Sequence, residues 1–310
     1  MPEHVSCNLC GADSPRELYR LRDYRLWVDD VEWPLVRCTR CGLGYLSPRP
    51  SRDEVGRYYP REYFEHRHLA GATERYRRQA AYVPGPPRRL LDVGTAGGGF
   101  LAVMRDAGWD VEGLEAAGED RSGNPHGLVI HRGHFPDDSG LPPASFDVVT
   151  AWAVFEHLHD PKRAFHEVHR LLAPGGLLVL QVPNLRSIWA RYARQEDVPR
   201  HLYFFSPPVL RAYGEACGLT LTRVVHTTDL FGGSGRGVLG LWLVRALGGS
   251  DADYFRLYRM PRGERFRRRP AAAAALAAVA RLERVLLPDP LVRALRISGQ
   301  IVALFEKRAA

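Results

Sequence analysis

LLDVGTAGGGF, Leu90 to Phe100, is the stretch on which the reading of the whole chain turns. Leu90, Leu91 and Val93 surround Asp92 in a short apolar run, which then breaks into four glycines, Gly94 and Gly97 to Gly99. Bare backbone between a strand and a helix lets N–H groups and the helix N-terminus approach a polar ligand with no side chain in the way. Upstream, PGPPRR marks a boundary. Downstream, GFLAVMRDAG reads as a helix, and WDVEGLE, GLVIHRG and FDVVTAW as strands. KRAFHEVHRLL then reads as a helix, and GGLLVLQVPN and LTLTRVVHT as two further strands. Strands alternating with helices imply parallel pairing and an α/β, doubly wound sheet.

Three ligands suit such a turn: a nucleotide phosphate, a dinucleotide, or S-adenosylmethionine. A phosphate loop needs Lys-Ser or Lys-Thr after the glycines, and none follows. A dinucleotide expects G-x-G-x-x-G, whereas the order here is Gly94-Thr-Ala-Gly97-Gly98-Gly99, with Asp92 two residues ahead. That favours the sulfonium nucleoside, whose ammonium group needs an anion and which brings no pyrophosphate. Glu115, closing VEGLE, can accept from two ribose hydroxyls, a feature that suits either nucleoside.

The 310 residues, 45% hydrophobic, suffice for a sizeable core. No apolar stretch reaches the length of a membrane span and the first residues lack a signal-peptide pattern, so the cytoplasm is expected. The net charge of +8 permits an anionic partner. The arginines are nevertheless scattered among acids, and the sharpest run, Arg262 to Arg269, reads as a solvated face and does not argue for nucleic acid. Four of five cysteines form two Cys-x-x-Cys pairs, Cys7/Cys10 and Cys38/Cys41, each followed by Gly. Two such knuckles complete a tetrahedral thiolate shell for a structural Zn2+ with no open position. Cys217 reads as a small buried apolar residue.

With these residues in place, Leu90 to Asn184 resembles the class I S-adenosylmethionine-dependent methyltransferases, in particular the bacterial small-molecule group. LLDVGTAGGGF, GLE, SFDVVTAWAVFEHLHDP and HEVHRLLAPGGLLVLQVPN occur in family order. CGLGYLSPRP resembles the end of a zinc module often fused in front. The resemblance implies a Rossmann-like seven-stranded sheet whose last strand is antiparallel, an N-terminal zinc ribbon, and a helical insertion before that strand. Read from its changes of pattern, the chain divides into the zinc ribbon at 1–48, a helical connector at 49–87, the methyltransferase core at 88–231, the helical insertion at 232–295 and the last strand at 296–310. The resemblance implies that Asp92, Gly94, Gly97 and Gly98 line the methionine part of S-adenosylmethionine, Glu115 the ribose, and Ala151 and Trp152 the methyl face. Two positions depart from the family pattern. Ala96 stands where a second glycine is usual, and His134 stands where an aspartate often meets the adenine, leaving Phe135 as the contact there.

Catalysis is expected from histidines. Glu156 and His157 follow the fourth core strand at the rim where the methyl emerges, and His201 lies in an aromatic loop, PRHLYFFSP, over the same side. An imidazole can take a proton from a hydroxyl or from carbon beside a carbonyl. A competing role for Glu156 and His157 is to buttress the following helix. The expected reaction is O-methylation of a small-molecule acceptor: a carbohydrate, lipid-linked or natural-product hydroxyl. C-methylation of a keto sugar nucleotide is the first alternative. It is weakened by Ala153, where the similar sugar C-methyltransferases carry a tyrosine. A nucleic-acid methyltransferase and a nicotinamide oxidoreductase are the other classes. The insertion reads first as a lid or pocket wall, with a peripheral membrane contact or dimer face as rival uses. The oligomeric state and the acceptor stay open.

Overall fold

The computed structural model describes residues 2–61, 63, 72–116, 124–137, 139–193, 197–231, 237–260 and 262–308. Most of the glycine cluster FGGSGRG lies outside the described residues.

Near the N-terminus, β1 (Pro15–Leu21), β2 (Trp33–Cys38) and β3 (Gly44–Leu46) pair antiparallel in that order. The main sheet is built from β4 (Arg89–Val93), β5 (Asp110–Glu115), β6 (Val129–Arg132), β7 (Phe146–Trp152) and β8 (Leu172–Pro183). After β9 (Tyr203–Phe204) the chain returns to this sheet with β10 (Leu219–Thr227) and β11 (Gln300–Lys307). Its order is β10-β11-β8-β7-β4-β5-β6, parallel except for β11, which runs antiparallel to both neighbours. This is the seven-stranded class I methyltransferase arrangement, with the helical insertion lying before its last strand.

The central strands are buried on both faces, which is why FDVVTAW and LLVLQV read as continuous apolar runs rather than alternating ones. The helix Pro161–Leu171 shows how the flanking layer is specified. Asp160 caps it by accepting from Arg163 N at 3.0 Å, and Pro161 occupies the first turn where its missing N–H costs nothing. Pro161, Ala164, Phe165, Val168 and Leu171 form its buried stripe. Phe165 stacks on Tyr213, and truncating it to alanine would cost about 3–5 kcal/mol.

One element differs from the sequence reading. PRHLYFFSP was expected as a loop, but Tyr203 and Phe204 form β9, paired antiparallel with Tyr45 and Gly44 of β3. A two-residue strand whose partner lies far away in sequence leaves no periodicity to read. Its consequence is that the N-terminal sheet is completed by the core, and the residues of both share one hydrophobic cluster.

Candidate active site

Gly94 begins the turn after β4 with φ at 73°, and a Cβ there would lie 2.6 Å from Val154 Cγ2. Only glycine satisfies both demands. Beyond the turn starts the helix Gly99–Asp106. The helix Ala72–Ala80 packs over it so closely that a Cβ on Gly99 would run into the Tyr76 ring. Ala96 also has positive φ, 51°, a conformation that costs an alanine roughly 1–2 kcal/mol. Its N–H donates to Glu115 Oε2 at 2.5 Å, joining the turn to the end of β5. Asp92 is buried at the end of β4 and accepts from Thr150 Oγ1 at 2.6 Å. Burial pushes its carboxyl up to about 7, and the nearby Glu115 carboxylate adds to the shift.

These residues open onto a cavity of about 1310 Å³ at the C-terminal edge of the parallel strands. Its wall includes Asp92, Gly94, Ala96, Glu115, His134, Phe135 and Trp152, together with Glu156, His157 and His201. Asp92, Gly94, Glu115, Phe135 and Trp152 of the expected cofactor end therefore share one space with the expected catalytic residues. Gly97 and Gly98 sit in the turn and Ala151 is buried within β7, none of them on the cavity wall. The volume exceeds that of an ordinary single-ligand pocket, and so accommodates two reactants side by side.

Glu156, His157 and His201 cluster with ligand atoms all within 4.8 Å of one another. The two imidazole rings meet edge to face at 4.7 Å, and His201 Nε2 lies 3.9 Å from Glu156 Oε1. His157 Nδ1 is 3.0 Å from the Arg200 carbonyl, an acceptor only, so this bond exists when Nδ1 carries the proton and Nε2 the lone pair. Burial pulls His157 down to about 4, and His201 well below its ordinary value. Both are neutral near pH 7.

The loop bearing His201 is fixed by charges from the N-terminal module. Arg200, fully buried, donates to both carboxylate oxygens of Asp23, at 2.6 and 3.0 Å, and to Asp197 at 2.7 Å. Arg25 pairs with Asp197 from the cavity side. Burial alone would raise Asp197, but the Arg25 and Arg200 guanidiniums overcome it and hold the carboxyl well below the usual range. Asp197 also accepts His201 N–H through its backbone carbonyl, at 2.7 Å.

Sequence reasoning missed part of the wall. Tyr59, from the connector, places its hydroxyl 3.0 Å from His157 Nδ1. Arg75 and Gln79, one helical turn apart, line the cavity from the helix over the glycine turn. Arg75 lies over the rings of Tyr76 and Phe231 and forms no ion pair among the described residues. Gln79 Oε1 and Trp152 Nε1 meet no hydrogen-bonding partner among the described residues, which is what a polar ligand supplies. Tyr258, from the insertion, completes the wall opposite. The aromatic and charged run YYPREYF was the available signal, but spacing alone does not say which cavity such residues face.

The four cysteines of the paired knuckles form a second cluster, their sulfurs within 4.8 Å of one another. Cys7 and Cys41 sulfurs are 3.3 Å apart and those of Cys10 and Cys38 3.6 Å, with no disulfide between them. A tetrahedral zinc with sulfur at about 2.3 Å requires sulfur–sulfur edges of about 3.8 Å. The residues fit the ion.

Fold and cavity define a class I S-adenosylmethionine-dependent methyltransferase. Residues 57–224, more than half of the chain, match the family described as Methyltransferase domain, and the chain belongs to it. It is 30% identical over 158 residues to the ubiquinone biosynthesis O-methyltransferase of Paraburkholderia phymatum, covering 46% of this chain and 68% of that one. It is 33% identical over 162 residues to the enzyme of the same name from Xanthomonas campestris pv. campestris, covering 47% and 68%. Among solved structures, a chain of the Haloferax volcanii complex between the Trm112 methyltransferase activator and a methyltransferase superposes with a TM-score of 0.51. That match, at 18% identity, covers 84% of this chain and all of the other, and shows the shared fold.

Proposed function

We propose that the protein transfers the methyl group of S-adenosylmethionine to a hydroxyl of a small molecule, with His157 as the base and Glu156 and His201 holding it in place. The observation that carries this reading is the opening of the Asp92–Glu115 end and the Glu156–His157–His201 cluster onto one cavity. Bound S-adenosylmethionine supplies an electrophilic methyl on a sulfonium already reactive toward nucleophiles. Asp92 would face its ammonium group, Arg75 its carboxylate, and Glu115 its ribose hydroxyls. Nε2 of His157 would accept the hydroxyl proton as the oxygen takes the methyl and the sulfonium becomes a neutral thioether. The names of the two relatives support oxygen as the methylated atom. Carbohydrate, lipid-linked and natural-product hydroxyls are the acceptor classes, and the cytoplasm is the proposed compartment.

The Cys7, Cys10, Cys38 and Cys41 cluster would hold a structural Zn2+, since four thiolates leave no coordination site for substrate. C-methylation beside a keto group is the second reading. It is favoured by Tyr59, whose hydroxyl stands against His157 and supplies the tyrosine that Ala153 cannot.

The test is S-adenosylhomocysteine release over a panel of hydroxylated and keto acceptors. His157→Ala is expected to lose about 10²-fold or more in turnover while keeping cofactor affinity. Full activity of that variant would remove the base role.

A further inference from the structure

The insertion contains a helix with an apolar stripe on its water-facing side as well as on its buried side. Pro270–Leu286 turns Ala273, Leu276 and Glu283 inward, where Leu276 joins Val238, Leu241, Tyr254 and Phe255 in a small core. Glu283, the acid of this helix, is consumed there, accepting from Gly237 N at 2.6 Å and Leu239 N at 2.5 Å. The outward stripe, Ala271, Ala275, Ala278, Leu282 and Val285, is apolar along a length of about 21 Å. A surface helix of a globular protein carries charged residues on that face. Val285 is 76% exposed, and Leu286 at the end of this helix, with Leu291 and Leu295 in and just after the next short helix, Asp289–Ala294, are exposed apolar residues as well.

Among the described residues, the exposed charges beside this surface are arginines. Arg281, Arg284, Arg293 and Arg296 are all exposed and none has a carboxylate partner among the described residues; Arg293 instead donates to Thr228 Oγ1 at 3.1 Å. The acids of the segment are the buried Glu283 and the half-buried Asp289. Exposed Arg267 and Arg269 stand at the other end of the long helix.

We propose that the face formed by Leu282, Val285, Leu286, Leu291 and Leu295 with its flanking arginines docks on an anionic lipid bilayer surface. The leucines and valine would enter the boundary between headgroups and acyl chains while the guanidiniums meet lipid phosphates, the geometry of an interfacial helix. Among the described residues no helix is long and apolar enough to cross a membrane, so the contact is peripheral. A second copy of the chain fits the face poorly, because a two-fold contact presents the same face from both sides and so brings arginines, not carboxylates, to Arg281 and Arg284. A polyanion such as nucleic acid would leave the apolar centre without a partner.

The full chain is tested by flotation with vesicles of phosphatidylcholine alone and of phosphatidylcholine mixed with phosphatidylglycerol, over a range of salt. Binding to the mixed vesicles is expected, weakening with salt. The exposed double variant Val285→Glu/Leu286→Glu, checked for an unchanged melting temperature, should lose about tenfold or more in affinity. Arg281→Glu/Arg284→Glu should flatten the salt dependence. Absence of binding to mixed vesicles overturns the proposal. So does a dimer in sedimentation velocity that Val285→Glu/Leu286→Glu dissolves while vesicle binding stays unchanged, since that result assigns the face to a second copy.

Discussion

Asn8 Nδ2 donates to Asp160 Oδ1 at 2.9 Å, tying the first cysteine knuckle to the cap of the helix that follows Glu156 and His157. The same side chain accepts from Lys162 N and from the Tyr213 hydroxyl, each at 3.0 Å. One residue between two cysteines thus fixes the start of that helix. Asn8→Ala removes three hydrogen bonds and is expected to lower stability by about 1–3 kcal/mol. Turnover should fall more than cofactor affinity, because the displaced helix start follows closely on the turn holding His157 and not on Asp92 or Glu115. Denaturant melts together with kcat and the Kd of S-adenosylmethionine check this; equal losses in both would place the effect elsewhere.

Metal content follows from the sulfur geometry. Purified protein should contain one zinc per chain, and Cys38→Ser should lose it. With β3 joined to β9, loss of the ion should also lower the melting temperature of the whole chain instead of unfolding a separate module. Metal analysis and calorimetry measure both, and a full-height transition at the original temperature in metal-free protein would contradict this.

Gly94 and Ala96 predict opposite outcomes in one turn. Gly94→Ala places a Cβ against Val154 in a left-handed conformation and should destabilise by at least about 1–2 kcal/mol while weakening cofactor binding. Ala96→Gly relieves a left-handed alanine, and the added freedom of the unfolded chain returns about 0.4–1 kcal/mol. Its net effect should be neutral to stabilising by about 1 kcal/mol. Thermal melts of the two variants decide the matter.

The pairing of Asp92 with a bare turn, and the run of apolar strands after it, made the sheet and the place of the turn legible from sequence. Those features are local, set by residues within one strand and turn. Tyr59, Arg75 and Arg25 were not legible as site residues, because each reaches the cavity from a different element and only the tertiary arrangement brings them together. β9 was missed for the same reason: its partner β3 lies far earlier in the chain, in the N-terminal module.

The pH dependence follows from two groups shifted by desolvation. His157, held down to about 4, should place the acid limb of kcat/KM near pH 4 instead of near the ordinary 6.5. Between those values the unfolded chain binds a proton that the folded chain does not. The stability it contributes is therefore full above about 6.5 and lost as pH falls toward 4. Asp92, raised to about 7, acts in the other direction. The folded chain holds a proton there that the unfolded chain has released, so its share of stability falls as pH rises from about 4 through 7. Cofactor affinity should strengthen over the upper part of that range as the carboxylate ionises. pH-resolved kinetics and melts measure these limbs, and an acid limb at 6.5 would contradict the assignment of His157.

The central claim is that the cavity at the ends of the parallel strands binds S-adenosylmethionine through Asp92 and Glu115. Isothermal titration with S-adenosylmethionine and with NAD tests it directly. The prediction is saturable binding of S-adenosylmethionine at one site, weakened about tenfold or more in Glu115→Ala, with no binding of NAD. Tight NAD binding without S-adenosylmethionine binding, or unchanged affinity in both Glu115→Ala and Asp92→Asn, would contradict it.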